Sequence, residues 1–143
     1  MTWRCACIWS SLLLLPMAIL LGLAGSKLGM IYAASAFASF AYHASKEESF
    51  VITDHVLAWI SIAVNFWLAV NTQKWEYTFA GFAFVLKAID SYVKAKDNNR
   101  QDYEYHHSMW HLWCGTAGVM LVLGYKYEFY RRIYENYCKG LLH

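Results

Sequence analysis

Apolar positions fall into five long blocks separated by short polar breaks, and each block has about the length of a membrane-crossing helix. The first runs from Ile8 to about Gly25, with Arg4 ahead of it and Ala24-Gly25-Ser26 behind. That layout also fits a cleavable signal peptide over residues 1–25, although Pro16 and the length of the block fit a retained span better. The second runs from Leu28 to Ala44 and is crowded with small residues over Ala33–Ser39, which let membrane helices approach closely. Lys46-Glu47-Glu48-Ser49 breaks the pattern, and a third block follows over residues 51–70. After the turn Asn71-Thr72-Gln73-Lys74 a fourth, weaker block covers 75–93, with Lys87 and Asp90 read as a solvated pair at the membrane edge.

Lys94 to Glu104 is the most polar stretch and predicts an exposed loop, and the fifth block covers 105–125. Beyond it Tyr130, Ile133, Tyr134, Tyr137 and Leu141 recur at helical spacing, which predicts an amphipathic helix lying on the membrane interface. The expected fold is therefore all-α, one transmembrane domain over 1–143, built as a bundle of about five spans (8–25, 28–44, 51–70, 75–93 and 105–125) with a C-terminal interfacial helix.

Composition agrees with this pattern. Of 143 residues, 59% are apolar and 15% charged, against about a quarter charged in a typical soluble domain. At roughly 20 residues per span there is room for about five or six helices and none for seven. Twelve Lys+Arg against ten Asp+Glu give a formal charge of +2, too balanced for a nucleic-acid surface. Basic residues divide nearly evenly between the two sides, so they do not orient the bundle. Cys5, Cys7, Cys114 and Cys138 do not form a disulfide framework: Cys114 lies inside an apolar run, and Cys5 and Cys7 are too close to bridge without strain.

Ionisable groups at membrane depth are costly and mark function. If the spans alternate in direction, Ser39 and His43 at the end of the second, Asp54 at the start of the third, and His107 and His111 at the start of the fifth share one membrane face. Residues four apart on a helix are offset by about 40° and 6 Å, so His107 and His111 lie on one stripe, spaced to hold one metal ion. His43 would supply a third nitrogen and leave a fourth position open, the arrangement of a catalytic zinc. Imidazole suits zinc, copper, nickel or iron alike, and the lack of thiolate ligands nearby makes zinc the first choice.

The stripe continues through Gly115, Gly118 and Val122, and that of Asp54 through Ala58, Ser61 and Asn65, so both face inward. His106 and His55 point elsewhere and are not expected to ligate. Taken singly, each member has a plainer reading. Ser39 can be a packing hydroxyl, Asp54 part of a helix start, and the two histidines of a His-x-x-x-His a coincidence. The constellation is what carries the assignment.

Ser39-x-x-x-His43, Asp54 after a short gap, and His107-x-x-x-His111 within His-Ser-Met-Trp-His resemble the signature of the CREST superfamily of membrane hydrolases. That group includes alkaline ceramidases, progestin and adipoQ receptors and Per1-like enzymes, and the short gap is most similar to the ceramidase branch. The resemblance implies zinc on His43, His107 and His111, Asp54 activating the water held by the metal, and Ser39 holding the site or stabilising the oxyanion. The implied reaction is hydrolysis of a ceramide-like lipid amide, the activated water attacking the carbonyl, in an endoplasmic-reticulum, Golgi or other endomembrane.

Members have seven spans, with three between the aspartate and the His-x-x-x-His. Asp54 and His107 leave room for one. Losing a pair preserves parity, so the site can survive with a reduced cavity wall, which a second copy or partner helices would complete. Two alternatives stand beside the hydrolase: a metal-binding or receptor-like membrane protein without turnover, and a bis-histidine haem protein.

Overall fold

Apolar runs satisfy their backbone groups most simply by internal helical hydrogen bonds, and every one of the five blocks is helical. The computed structural model describes residues 3–97 and 100–140, and among them there is no strand, in agreement with the all-α expectation. The first block is not one uniform rod: α1 (Trp3–Ser10) passes through a 3₁₀ stretch (Ser11–Leu14) into α2 (Leu15–Leu23). Pro16 lies at the start of α2, where a missing N–H has no intrahelical partner to lose. Gly25, at φ +68°, ends it. Its N–H donates to the Gly22 carbonyl and that of Ser26 to the Leu21 carbonyl, a Schellman closure that needs the left-handed region open to glycine.

The next helices are α3 (Gly29–Ser45), α4 (Glu48–Val70), α5 (Trp75–Asp97), α6 (Arg100–Tyr125) and α7 (Tyr127–Gly140). The loop expected over Lys94–Glu104 is largely absent, because α5 continues to Asp97 and α6 begins at Arg100. Asp90 pairs with Lys94 one turn on, at 2.7 Å, and lysines near a helix C-terminus complement its dipole. The expected Lys87–Asp90 pair does not form: the Lys87 ammonium lies 6.0 Å from the centre of the Trp113 ring instead.

Helices α3 and α4 run antiparallel, as do α5 and α6. Between α3 and α4, Tyr32 Oη donates to Asn65 Oδ1 at 2.6 Å and the Ser35 and Ser61 hydroxyls meet at 2.8 Å, so contacts climb one helix as they descend the other. Along α5 and α6, Phe84 stacks on Trp113 and Tyr92 packs beside Trp110 in the same sense. Met17, Leu21, Tyr32, Leu68, Leu121 and Val122 form the core. The first block is thus central to the packing: Met17 and Leu21 are fully buried. It lies so close to α6 that a Cβ added at Gly115 would stand 2.6 Å from the Leu13 carbonyl oxygen.

Helix α7 carries Ile133, Tyr134 and Tyr137 exposed, while Arg131 bridges Glu128 and Glu135 at 2.7 and 2.6 Å. Tyr130 departs from that stripe and turns inward, its hydroxyl donating to the Leu20 carbonyl. Leu141, the last member of the expected stripe, lies outside the described residues. Among the described residues, α4 is the one helix long and apolar enough to cross a membrane, and only 11% of its apolar window is buried within the protein. The apolar helix Cys7–Leu23 is shorter, α3 has 17 residues, and α5 and α6 carry more polar residues.

Candidate metal centre

The antiparallel order brings the end of α3 and the beginnings of α4 and α6 to the same end of the bundle, where alternation of the spans had put them. His43 comes from the last turn of α3, and His107 and His111 from successive turns of α6. His43 Nε2 lies 3.2 Å from His107 Nε2, which lies 3.1 Å from His111 Nε2. All three fall within 4.8 Å of one another, close enough to hold one metal ion.

Hydrogen bonding accounts poorly for this convergence. The Nε2 of neutral His107 offers either one lone pair or one proton. It cannot satisfy two imidazole nitrogens at once. Three lone pairs directed at a common ion resolve the conflict, and nitrogens 2.0–2.1 Å from a tetrahedral ion stand about 3.3 Å apart. The ring pairs lie at interplanar angles of 68°, 80° and 87°, so none of the three imidazoles stacks face to face on another.

Aromatic neighbours hold the imidazoles in place. Tyr103 stacks on His107 with ring centres 5.2 Å apart, Trp110 packs against both His107 and His111, and Tyr42 lies beside His43. Tyr103 was not among the residues expected at the site. Its signal was in the sequence all the same, since Tyr103, His107 and His111 are successive members of one i, i+4 stripe.

His111, 7% exposed, opens onto a cavity of about 420 Å³ whose wall also carries Ser39 and Asp54. His43 instead faces a pocket of about 80 Å³, lined by Cys7, Tyr42, Lys46, Tyr103 and Glu104. The histidine cluster therefore stands between the two, with His107 joining its halves. Lys46 ends α3 in the left-handed region at φ 61°, its N–H closing onto the Tyr42 carbonyl.

Ser39 is buried, donates to the Ser11 hydroxyl at 3.3 Å and lies within reach of the Asp54 carboxyl. Ser11 in turn donates to the Cys7 carbonyl at 2.9 Å. The carboxyl of Asp54 is not part of the convergent nitrogen set. Of the five expected site residues, three form the candidate centre, and Ser39 and Asp54 flank it on the cavity wall. Below Asp54 the wall continues through Ala58, Ser61 and Asn65, the stripe read as inward-facing.

The two histidines set aside stay outside the cluster. His55 is exposed, its Nδ1 2.7 Å from the Val51 carbonyl oxygen, and His106 packs against Tyr105. Cys7, Cys114 and Cys138 are free thiols, and none belongs to the cluster. The arrangement can thus present three neutral nitrogen donors to one ion beside an apolar cavity with a carboxyl and a hydroxyl on its wall. No family model, curated protein or solved structure matches the chain.

Proposed function

We propose that this protein is an integral-membrane, zinc-dependent hydrolase of lipid amide bonds, similar to the alkaline ceramidases of the CREST superfamily. The observation that carries this reading is the convergence of His43, His107 and His111 beside a cavity whose wall carries His111 together with Asp54 and Ser39. Three imidazoles without thiolate favour zinc, with a further position left for water. Zinc held there would acidify that water to a pKa of about 7 and polarise a carbonyl.

The chain's own residues supply the rest. Asp54 takes up the proton released as the water attacks and passes it to the leaving amine. Ser39, within reach of Asp54, orients that carboxyl or donates to the developing oxyanion. The apolar walls formed by Met17, Phe66, Phe82 and Leu121 receive a hydrocarbon chain.

A membrane setting is supported by what the helices expose. Ile19, Leu23, Met30, Phe37, Trp59, Phe79 and Leu86 all face outward on different helices. In water such a surface would aggregate, whereas in lipid it is the expected exterior. At 1.5 Å per residue the 23 residues of α4 reach about 35 Å, enough to cross a hydrocarbon core of about 30 Å.

A second reading, a metal-binding or receptor-like protein without turnover, shares the same centre. The haem alternative is disfavoured, because the imidazole nitrogens converge side by side instead of facing each other across a porphyrin plane. Purified protein loaded with zinc is expected to release fatty acid from ceramide. Asp54→Ala should lower that rate by about 10²–10⁴, the range of a lost general acid–base, with zinc retained. Unchanged hydrolysis in Asp54→Ala would overturn the catalytic assignment, and zinc binding without hydrolysis would leave the receptor-like reading.

A further inference from the structure

We infer that the seam between α4 and α5 is a lateral portal through which the acyl chain of a bilayer lipid reaches the cavity. This rests on the lipid-hydrolase reading for its substrate, and it adds the route and the residues that control it.

Both helices line the same cavity, α4 with Asp54, Ser61 and Asn65 and α5 with Phe82, Val85 and Ile89. Yet among the described residues they share no packed interface. Each is held elsewhere. Helix α4 is tied to α3 through Ser35–Ser61 and Tyr32–Asn65. Helix α5 lies along α6, where Gly81 brings it against Ala117 and Leu121. The turn at Asn71–Lys74 joins them, and it is pinned by Gln73 N–H donating to the Gly124 carbonyl. The gap is therefore shut at that end and open along the flank.

The rims of this gap belong to the cavity and to the exterior at once. Ile62 and Phe66 on α4, and Phe82 and Ile89 on α5, line the cavity while each is more than half exposed. A side chain in a closed wall would face one side only. From Asp54 to Phe66 is about 18 Å along the helix, more than half of a hydrocarbon core. The opening thus faces acyl chains, and a water-soluble molecule would have to cross lipid to use it.

Polarity along the cavity selects the same occupant. Ser39 and the ionisable Asp54 and His111 lie at one end, and farther down the wall is Met17, Phe66 and Leu121, with Ser61 and Asn65 already engaged by Ser35 and Tyr32. A molecule with a hydrogen-bonding group at one end and a hydrocarbon tail matches this gradient.

Labelling tests the portal without requiring turnover. The full chain is placed in phosphatidylcholine nanodiscs with a trace of ceramide carrying a diazirine in its acyl chain, irradiated, and mapped by peptide mass spectrometry. Label is expected on cavity residues such as Trp110, Cys114 and Leu121. Ile62→Trp with Val85→Trp, which fills the seam, should cut that label about tenfold, as added bulk in an apolar pocket does, while bound metal and melting temperature hold. Ile62→Ala with Phe82→Ala should raise it, and this second variant keeps the test open if the first does not fold. Label confined to outward residues such as Trp59 and Leu86, or cavity label insensitive to both variants, would overturn the portal. So would a stable dimer cross-linked across the seam, because a second copy would then occupy it. Failure of ceramide hydrolysis in the same nanodiscs would fell the proposed activity alone.

Discussion

The Nε2 atoms of His107 and His111 stand 3.1 Å apart across one turn of α6, and His43 meets the first of them from a helix 64 positions earlier in the chain. Together these contacts place three imidazoles close enough to hold one metal ion.

Bound metal should therefore follow these three residues and no other histidines. Protein purified with zinc present and then desalted is expected to hold about one ion per chain, the number a single three-histidine centre accommodates. His43→Ala, His107→Ala and His111→Ala should each abolish retention, whereas His106→Ala and His55→Ala should keep it. Elemental analysis of the five variants checks this, and retention in His107→Ala would refute the centre.

Two glycines should respond to alanine with opposite signs. At Gly115 a Cβ would lie 2.6 Å from a backbone oxygen of the first helical block, whereas at Gly22 it would meet nothing within 4 Å. Gly115→Ala is expected to destabilise by about 1–3 kcal/mol through overpacking. Gly22→Ala should be neutral or stabilising by about 0.5–1 kcal/mol, since alanine loses less backbone freedom in a helix. Thermal or denaturant unfolding in detergent reads both.

The two left-handed residues form a second opposed pair. Lys46 adopts φ 61° with a side chain that disfavours it, and Gly25 adopts φ +68° without that cost. Lys46→Gly should gain about 1 kcal/mol and Gly25→Ala lose about the same, from the steric cost of Cβ in that region. A loss of stability in Lys46→Gly would mean that the side chain at the mouth of the small pocket contributes more than its backbone costs.

Tyr32→Phe isolates the polar link between α3 and α4. It removes the 2.6 Å bond to Asn65 and leaves that amide oxygen on the cavity wall without its donor. The expected loss is about 0.5–1.5 kcal/mol, near the value found for hydrogen bonds between membrane helices. A matching loss in Asn65→Ala, with no further loss in the double variant, would show that the two act as one unit.

Helices were legible in the sequence because their signal is local. Runs of apolar residues interrupted by Lys46–Ser49 and Asn71–Lys74 mark where one apolar segment gives way to the next, and the helices begin and end within a few positions of those breaks. The site residues were legible for the same reason. Four-residue spacing fixes a shared face on α6, and alternation of direction carries His43 and Asp54 to the same end. The loop at Lys94–Glu104 was misread because polarity alone does not end a helix when an Asp90–Lys94 pair and the helix dipole sustain it.

Distances between helices belong to another class of information. By itself the sequence determined an all-α chain with three imidazoles, a carboxyl and a hydroxyl directed to one end, because periodicity and order are properties of neighbouring residues. Only the tertiary structure decided that the imidazoles converge while Asp54 stays on the cavity wall, that Tyr103 and Trp110 brace the rings, and that α4 and α5 stand apart. Those outcomes depend on which side chains interlock between helices far apart in the chain, as where Gly115 admits the first helical block against α6, and no local pattern encodes that fit.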